Sequence, residues 1–201
     1  MLRITEVVKI LLIINVVVYF GSTLIMGVQE ANWLLSLKWP GTEGFAPYQL
    51  VTHMFMHFGT THLFFNMFGL FMFGPPLEMA WGPKRFLFYY LATGFGALAL
   101  HMMVTYFVIQ SGGSPGQMAG ASGAIFGLLA GYGMLYPNSK IMLLIPPIPM
   151  KAKYFVLIYA AIELFLGVGN FGTGIAHFAH LGGAITGFFL ILYWRKFGSR
   201  L

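Results

Sequence analysis

One serine lies where a polar loop gives way to an apolar run, and its near neighbours are glycines. Ser122 lies between Gly120 and Gly123 in the segment 118–127, MAGASGAIFG. A serine hydroxyl becomes a nucleophile when a general base, usually a histidine, takes its proton. A serine in an apolar helix is otherwise a small packing residue. The partners that the rest of the chain offers therefore decide between a catalytic and a packing role.

Acidic partners are scarce in this chain. It has five acidic residues, all of them glutamates, and it has no cysteine. A Ser-His-Asp triad is therefore excluded, as are a thiol nucleophile and a disulfide framework. Two glutamates fall within apolar runs, Glu78 near the end of one run and Glu163 in the middle of another. Glu78 is too near the end of its run to lie at the level of Ser122, so it is an unsuitable third member of a triad. Counting residues along the runs does not exclude Glu163 from that role. We favour a dyad of Ser122 and His180.

The elements that position these residues are membrane helices. The chain of 201 residues is 58% hydrophobic and 8% charged, whereas a soluble domain has roughly 25% charged residues. An apolar run of about 20 residues is long enough to cross a bilayer. The composition therefore predicts an all-α membrane protein, a single domain over residues 1–201 built as a bundle of six transmembrane helices. The predicted spans are about 7–27, 62–81, 86–109, 119–136, 154–167 and 175–194.

The basic residues predict the orientation of this bundle. Of the eleven lysines and arginines, all except Lys38 fall in the terminal regions or in the connections between spans 2 and 3 and spans 4 and 5. With six spans these regions share one side, and the positive-inside rule makes it the cytoplasmic side. Both termini are therefore expected in the cytoplasm. This clustering also explains the net charge of +6, so no nucleic-acid partner is expected.

Four polar side chains reach a similar depth in three different spans. Ser122 and His180 each lie 14 residues from the cytoplasmic end of their spans, which is about 21 Å at ~1.5 Å per residue. Asn66 lies 15 residues from the end of its span, and His62 lies one turn higher. In a hydrocarbon core of about 30 Å, the serine and the histidine sit roughly 9 Å below the extracytoplasmic surface. The four groups are placed to act as a nucleophile, its base and two donors.

Glycines at helical spacing predict how two of these helices approach each other. Gly123 and Gly127 lie four apart on span 4, and Gly183 and Gly187 lie four apart on span 6. Small residues at this spacing let membrane helices pack with their backbones in close contact. Such packing would bring the serine and the histidine within hydrogen-bond reach. Gly120 is expected to let the backbone come close to a substrate.

Donors for an oxyanion surround the serine. Ser122 opens the predicted helix, where backbone N–H groups are unpaired and the helix dipole favours negative charge. His62 and Asn66, four residues apart, share one face of span 2. Donors arranged in this way can stabilise the oxyanion of an acyl-transfer intermediate. The motif is not the GxSxG elbow of α/β-hydrolases, because residue 124 is alanine.

Three motifs together resemble those of the rhomboid intramembrane serine proteases, and the resemblance spans nearly the whole chain. The motifs are HxxxHxxxxHxxxN at 53–66, GASG at 120–123 and AHLGGxxxG at 179–187. The resemblance implies that Ser122 is the nucleophile and His180 the base, and that His62 and Asn66 form the oxyanion hole with the Ser122 N–H. No metal and no cofactor are expected. Residues 48–49 are Tyr-Gln where some members carry Trp-Arg, a departure that bears on loop packing or lipid contacts.

The same resemblance implies what the protein acts on. Members cleave single-pass membrane proteins in or near the transmembrane segment, on the extracytoplasmic side, with a small residue before the scissile bond. The expected partners are therefore transmembrane protein substrates and the lipid bilayer, and the expected location is the cell (inner) membrane. The oligomeric state is not predicted. A glycine-rich loop at 169–174 is expected to act as a cap that moves for substrate entry.

Three other interpretations start from the same residues. Several of the histidines could converge on a metal, although the HExxH motif of metalloproteases is absent. A catalytically silent relative could bind or escort membrane segments, although such proteins usually lose the serine or the histidine, and both are present here. A transporter would line its path with Glu163 and His101. The sequence assigns no role to Glu163, His53, His57, His101 or His177.

Overall fold

The computed structural model describes residues 4–142, 147–169 and 177–198. Within these ranges the chain forms eight helices and one antiparallel two-stranded hairpin. The helices are α1 Glu6–Met26, α2 Val28–Leu35, α3 Gln49–Thr52, α4 Thr60–Trp81, α5 Pro83–Gln110, α6 Ser122–Leu135, α7 Ala152–Gly169 and α8 His177–Phe197. The strands are β1 Lys140–Met142 and β2 Pro149–Lys151. The all-α expectation is therefore confirmed for the described chain, apart from this hairpin.

Five of the described helices are long and apolar enough to cross a membrane, namely α1, α4, α5, α7 and α8. Helix α6 is apolar but has only 14 residues. At ~1.5 Å per residue its length is about 21 Å, which is shorter than a hydrocarbon core of about 30 Å. The count of six spans therefore depends on whether this short helix is counted as a span.

Some of the predicted boundaries differ from the structure, and others lie outside the described residues. The span predicted over 119–136 is too long at its start, because residues up to 121 are not helical and α6 begins at Ser122. The cap predicted over 169–174 lies outside the described residues, except for Gly169 at the end of α7. The first two residues of the span predicted over 175–194 lie outside them as well.

The long loop predicted between the first two spans is partly helical and well packed. It contains α2 and α3, and Gln49 is fully buried within it. The Gln49 side-chain amide donates to the carbonyls of Leu34 and Gly44 at 3.1 and 2.8 Å, and its oxygen accepts the N–H of Lys38 at 3.3 Å. The Lys38 ammonium lies 3.1 Å from the ring centroid of Trp33. Gln49 thus holds the loop together through hydrogen bonds to three of its residues.

This loop, residues 27–59, also holds the segment that leads into α6. Leu37 and Met118 exchange two backbone hydrogen bonds of 2.8 and 3.0 Å. Two residues further on, the N–H of Gly120 donates to the carbonyl of His53 at 2.8 Å. The segment therefore runs extended along the loop, and these contacts explain why the helix starts only at Ser122.

Helix α6 packs against α4, α5, α7 and α8, and glycines make its contact with α8. A Cβ atom placed on Gly183 would lie 1.9 Å from the carbonyl oxygen of Gly123. A Cβ atom on Gly187 would lie 2.3 Å from the hydroxyl of Tyr89 and 3.1 Å from the carbonyl oxygen of Gly127. The backbones of α6 and α8 are therefore in direct contact, which is the approach that the glycine spacing predicts.

Glu78 stabilises the beginning of α1. Its carboxylate accepts the backbone N–H groups of Val7 and Val8 at 3.0 and 2.9 Å, and it also accepts the hydroxyl of Thr5. The first N–H groups of a helix lack partners within the helix, and the helix dipole favours a negative charge there. The buried carboxylate on α4 therefore joins α4 to α1.

Replacing Gly183 with alanine should destabilise the bundle. The added methyl group would meet backbone atoms of Gly123, which cannot rotate away, so the two helices would have to separate. We expect a loss of about 1–3 kcal/mol, measured as a lower Tm of the purified protein in detergent.

Gly21→Ala is the matched control. Gly21 lies inside α1, and a Cβ atom there would meet no atom of the described residues within 4 Å. Alanine favours a helix over glycine by ~1 kcal/mol, so the Tm should stay the same or rise. An unchanged Tm in Gly183→Ala would contradict the close contact between α6 and α8.

Candidate active site

Ser122 is the first residue of α6, and the turn before it requires glycine. Gly120 has a φ of +117°, a conformation that residues with a Cβ atom rarely adopt. A Cβ atom on Gly120 would also lie 2.8 Å from two ring atoms of His62. Glycine is therefore needed both for the backbone conformation and for the close approach of this histidine. The Ser122 N–H belongs to the first turn of α6, where N–H groups have no partner within the helix.

His180 is in direct contact with the serine. Its Nε2 lies 2.8 Å from Ser122 Oγ, within the range of about 2.6–3.2 Å that a general base needs. The His180 ring stacks on Phe126, with ring centroids 4.3 Å apart and an angle of 3° between the planes. The stacking fixes the plane of the imidazole, and the contact between α6 and α8 fixes its distance from the hydroxyl.

His62 and Asn66 lie on one face of α4 and present donors. His62 Nδ1 accepts the backbone N–H of Phe58 at 3.4 Å, and the two rings stack. With Nδ1 as the acceptor, Nε2 carries the proton and is a donor. Asn66 Nδ2 donates to the carbonyl of His62 at 2.8 Å. An amide nitrogen has two hydrogens, so the second one is free for another acceptor.

A cavity of about 450 Å³ connects these groups. Its apolar lining includes Phe58, Phe65 and Met118. Its polar lining includes His62, Asn66, Ser122 and His180. The structure therefore brings to one cavity the four side chains that the sequence analysis singled out, from α4, α6 and α8.

Glu163, to which the sequence assigned no role, lies behind His180. This glutamate on α7 is 7% exposed. Its Oε2 lies 2.7 Å from Nδ1 of His177 and 3.0 Å from Nδ1 of His180. Depth counting missed this contact because it does not say which face of α7 points to α8. A signal was nevertheless present, since His177 and His180 are three apart and share a helix face, and a carboxylate in a membrane span needs partners.

His53 and His57 belong to a different part of the protein, the packed loop. Both are fully buried. His53 Nδ1 donates to the carbonyl of Gln49 at 2.8 Å, and the His57 ring packs edge-on against His62, with centroids 5.0 Å apart. His101 lies in α5. In the described part of the chain, the ligand-type atoms that gather within 4.8 Å of one another belong to Glu163, His177 and His180.

The packed loop keeps its histidines neutral. Burial, and after it the nearby His62, lowers the pKa of His57 to about 3. Burial also lowers the pKa of His53. Both residues precede α4 and lie outside the membrane-spanning helices. The loop that holds the segment before α6 therefore contains buried, uncharged imidazoles.

The lowered pKa of His57 predicts that this loop is sensitive to acid. An unfolded histidine has a pKa of about 6.5, so below that value the unfolded loop binds a proton that the folded loop excludes. The free energy of unfolding is undiminished above pH ~6.5. It falls by up to about 1.4 kcal/mol per pH unit as the pH falls toward 3. We expect the Tm to fall on acidification and His57→Gln to remove part of that fall. Equal pH dependence of the Tm in both proteins would contradict this account.

The fold and this cavity define a helical membrane protein with a serine and a histidine in contact inside the bundle. The family model for the rhomboid domain matches residues 45–197. The chain belongs to the rhomboid family.

Several curated proteins are similar to this chain. It is 34% identical to RHOMBOID-like protein 6, mitochondrial, of Arabidopsis thaliana, over 74% of this chain and 44% of that protein. It is 32% identical to Rhomboid protease GluP of Bacillus subtilis (strain 168), over 81% of this chain and 27% of GluP. It is 30% identical to Rhomboid protease AarA of Providencia stuartii, over 67% of this chain and 51% of AarA. The chain thus spans between about a quarter and about a half of the length of these relatives.

Proposed function

We propose that this protein is an intramembrane serine endopeptidase in which Ser122 attacks the peptide bond and His180 is the general base. The observation that carries this proposal is the 2.8 Å contact between Ser122 Oγ and His180 Nε2 in a cavity of the helical bundle. A histidine nitrogen at this distance can take the serine proton, which is the condition for a nucleophilic serine. The relatives that carry the name rhomboid protease support the proposal.

The donors around the cavity supply the second requirement of the reaction. Attack by the serine converts the carbonyl oxygen of the substrate into an oxyanion, and preorganised N–H groups aimed at this oxygen lower the barrier. The proposed donors are the Ser122 N–H, His62 Nε2 and Asn66 Nδ2. Phe58 and Phe65 give the same cavity part of its apolar lining, and hydrogen bonds to charge are stronger where the local dielectric constant is low. Water that enters the cavity then hydrolyses the acyl-enzyme.

We place the active site toward the extracytoplasmic side of a six-span bundle with both termini in the cytoplasm. The support is a basic cluster at the C-terminal end of α6, opposite Ser122. There Arg195 donates to the carbonyl of Met134 at 2.9 Å, and the Arg85 guanidinium lies 5.3 Å from the ring centroid of Trp194. The positive-inside rule assigns such an end to the cytoplasm. Because α6 is about 21 Å long, Ser122 then lies below the surface of a core of about 30 Å.

The proposed substrates are single-pass membrane proteins, cut in or near their transmembrane segment after a small residue. In lipid the backbone of such a segment is paired within its own helix, so part of the helix must unwind before a peptide bond can reach Ser122. The family resemblance supports this choice of substrate. It also supports a location in the cell (inner) membrane as a multi-pass protein.

Ser122→Ala and His180→Ala should each abolish cleavage of a tagged transmembrane substrate by the purified protein in liposomes. Without Oγ no acyl-enzyme forms, and without the imidazole the hydroxyl keeps its proton. Asn66→Ala should lower kcat by roughly 10²-fold, as the loss of one oxyanion donor does in other serine proteases. Initial rates over a range of substrate concentrations give kcat and KM.

Ser111→Ala is the matched control for these variants. Ser111 is an exposed serine just after α5, and its hydroxyl donates to the carbonyl of Val108 at 2.9 Å. This variant should keep the wild-type rate. Activity that survives in Ser122→Ala would overturn the proposed function. A wild-type protein that binds transmembrane segments without cleaving them would instead indicate a catalytically silent binding or escort protein.

A further inference from the structure

The imidazole of His180 lies between a hydroxyl group and a carboxylate. Its Nε2 is 2.8 Å from Ser122 Oγ, and its Nδ1 is 3.0 Å from Glu163 Oε2. Three helices supply the three groups, namely α6, α8 and α7. A dyad uses only two of them, so the carboxylate on α7 is a charged group at the site without an assigned task.

Burial and a second histidine hold Glu163 in this position. Glu163 lies inside the apolar helix α7 and is 7% exposed. Its Oε2 accepts a hydrogen bond from His177 Nδ1 at 2.7 Å. A carboxylate in a membrane bundle is stable only when it is paired, and a buried charge that loses its partner is strongly destabilising. The pairing with His177 keeps the carboxylate against the ring of His180.

The carboxylate favours one tautomer of His180. In a neutral imidazole one nitrogen donates and the other accepts. A general base must present the lone pair of Nε2 to Ser122, which places the hydrogen on Nδ1. The opposite tautomer would set a nitrogen lone pair 3.0 Å from an oxygen of Glu163, and this arrangement is repulsive. The contact is an ion-pair contact outside hydrogen-bond geometry, so Glu163 acts on His180 through its charge.

We propose that Glu163 is a positioning residue of the active site and that Ser122, His180 and Glu163 form a catalytic triad. This inference rests on the proposed function. As Ser122 Oγ bonds to the carbonyl carbon, its proton moves to His180 Nε2, and the ring becomes positive beside the negative carboxylate. The same proton then passes to the leaving nitrogen as the C–N bond breaks. Glu163 remains ionised throughout, and His177 holds it in place.

The distances in this cluster fit direct contact between the side chains better than ligation of a metal ion. A carboxylate and two histidines are a ligand set that zinc accepts. Ligand atoms at about 2.0–2.1 Å from a tetrahedral zinc stand about 3.3 Å apart. Glu163 Oε2 is instead 2.7 and 3.0 Å from the two histidine nitrogens. Both separations are shorter than this spacing, and the contact with His177 is a hydrogen bond to the carboxylate.

Groups from several helices surround His180. Glu163 from α7 lies 3.0 Å from its Nδ1, His62 from α4 lines the same cavity, and His177 from α8 is paired with Glu163. Helix α6 contributes the hydroxyl of Ser122, and α5 packs the apolar groups Ala97 and Leu100 against this part of α8. Within the described chain, Glu163 is thus the anionic group beside His180, and its removal leaves the protonated ring without a counter-charge.

Glu163→Gln tests the triad, because glutamine keeps the shape of the side chain and removes its charge. We expect kcat to fall by up to about 10⁴-fold, the loss that removal of the triad acid causes in other serine proteases, while KM changes little. Glu163→Asp keeps a carboxylate and should recover part of kcat. Initial rates on a transmembrane substrate in liposomes, measured over a range of substrate concentrations, give kcat and KM for both variants.

Glu78→Gln is the matched control, because Glu78 is a second buried carboxylate in a membrane helix and caps α1. It should lower the Tm and keep the kcat of the wild type. The same pattern in Glu163→Gln would assign Glu163 a structural role and overturn the triad. Activity of the wild type that is lost in a chelator and restored by zinc would overturn it as well.

The Ser122→Ala variant separates failure of the triad from failure of the proposed function. An inactive Ser122→Ala protein together with a fully active Glu163→Gln protein would overturn the triad alone. An active Ser122→Ala protein would overturn the proposed function and the triad with it.

Discussion

The backbone contact between α6 and α8 is the interaction on which the site depends. A Cβ atom at Gly183 would stand 1.9 Å from the carbonyl oxygen of Gly123, so a larger residue would force the helices apart. Gly123 follows Ser122 directly, and Gly183 is three residues beyond His180. Separation at this point would stretch the 2.8 Å contact between the hydroxyl and the imidazole beyond hydrogen-bond range. Close packing is therefore a condition for the proposed chemistry as well as for stability.

The absence of water in a bilayer explains much of the remaining structure. A polar group inside the bundle needs a partner from the protein. The hydroxyl of Tyr89 donates to the carbonyl of Gly127 at 2.8 Å, and the Glu78 carboxylate accepts N–H groups of α1. Glu163 meets the same requirement through two histidines. The same need for a partner thus pairs Glu78 with the N–H groups of α1 and places Glu163 against the proposed base.

The cavity exists because α6 begins late. Pairing of Leu37 with Met118 and the hydrogen bond from Gly120 to His53 keep the preceding segment extended. A helix that began at residue 119 would not have these contacts. The extended segment instead forms part of the cavity wall beside Ser122. The loop at residues 27–59 holds the extended segment before Ser122, and the short helix α6 begins below the expected membrane surface. Together these two features account for the cavity.

Much of the fold and the site follows from the sequence through local physics. Composition predicted membrane helices, because burying charge in lipid is costly. The rise of ~1.5 Å per residue predicted a common depth for Ser122, His180 and Asn66, and the structure places these residues at one cavity. Glycine spacing predicted the contact between α6 and α8, because helical periodicity decides which residues share a face. These properties belong to single segments, so the sequence predicts them without knowledge of how the helices pack.

Other features depend on contacts between distant segments, and only the tertiary structure decided them. The start of α6 depends on the pairing of Leu37 with Met118, which no local pattern encodes. The helices in the loop that Gln49 organises were missed for the same reason. Counting residues along the span predicted how deep Glu163 lies in the membrane, but it did not predict which way its side chain points. The rotation of α7 about its own axis is set by the helices packed against it, and that rotation turns the carboxylate toward His180.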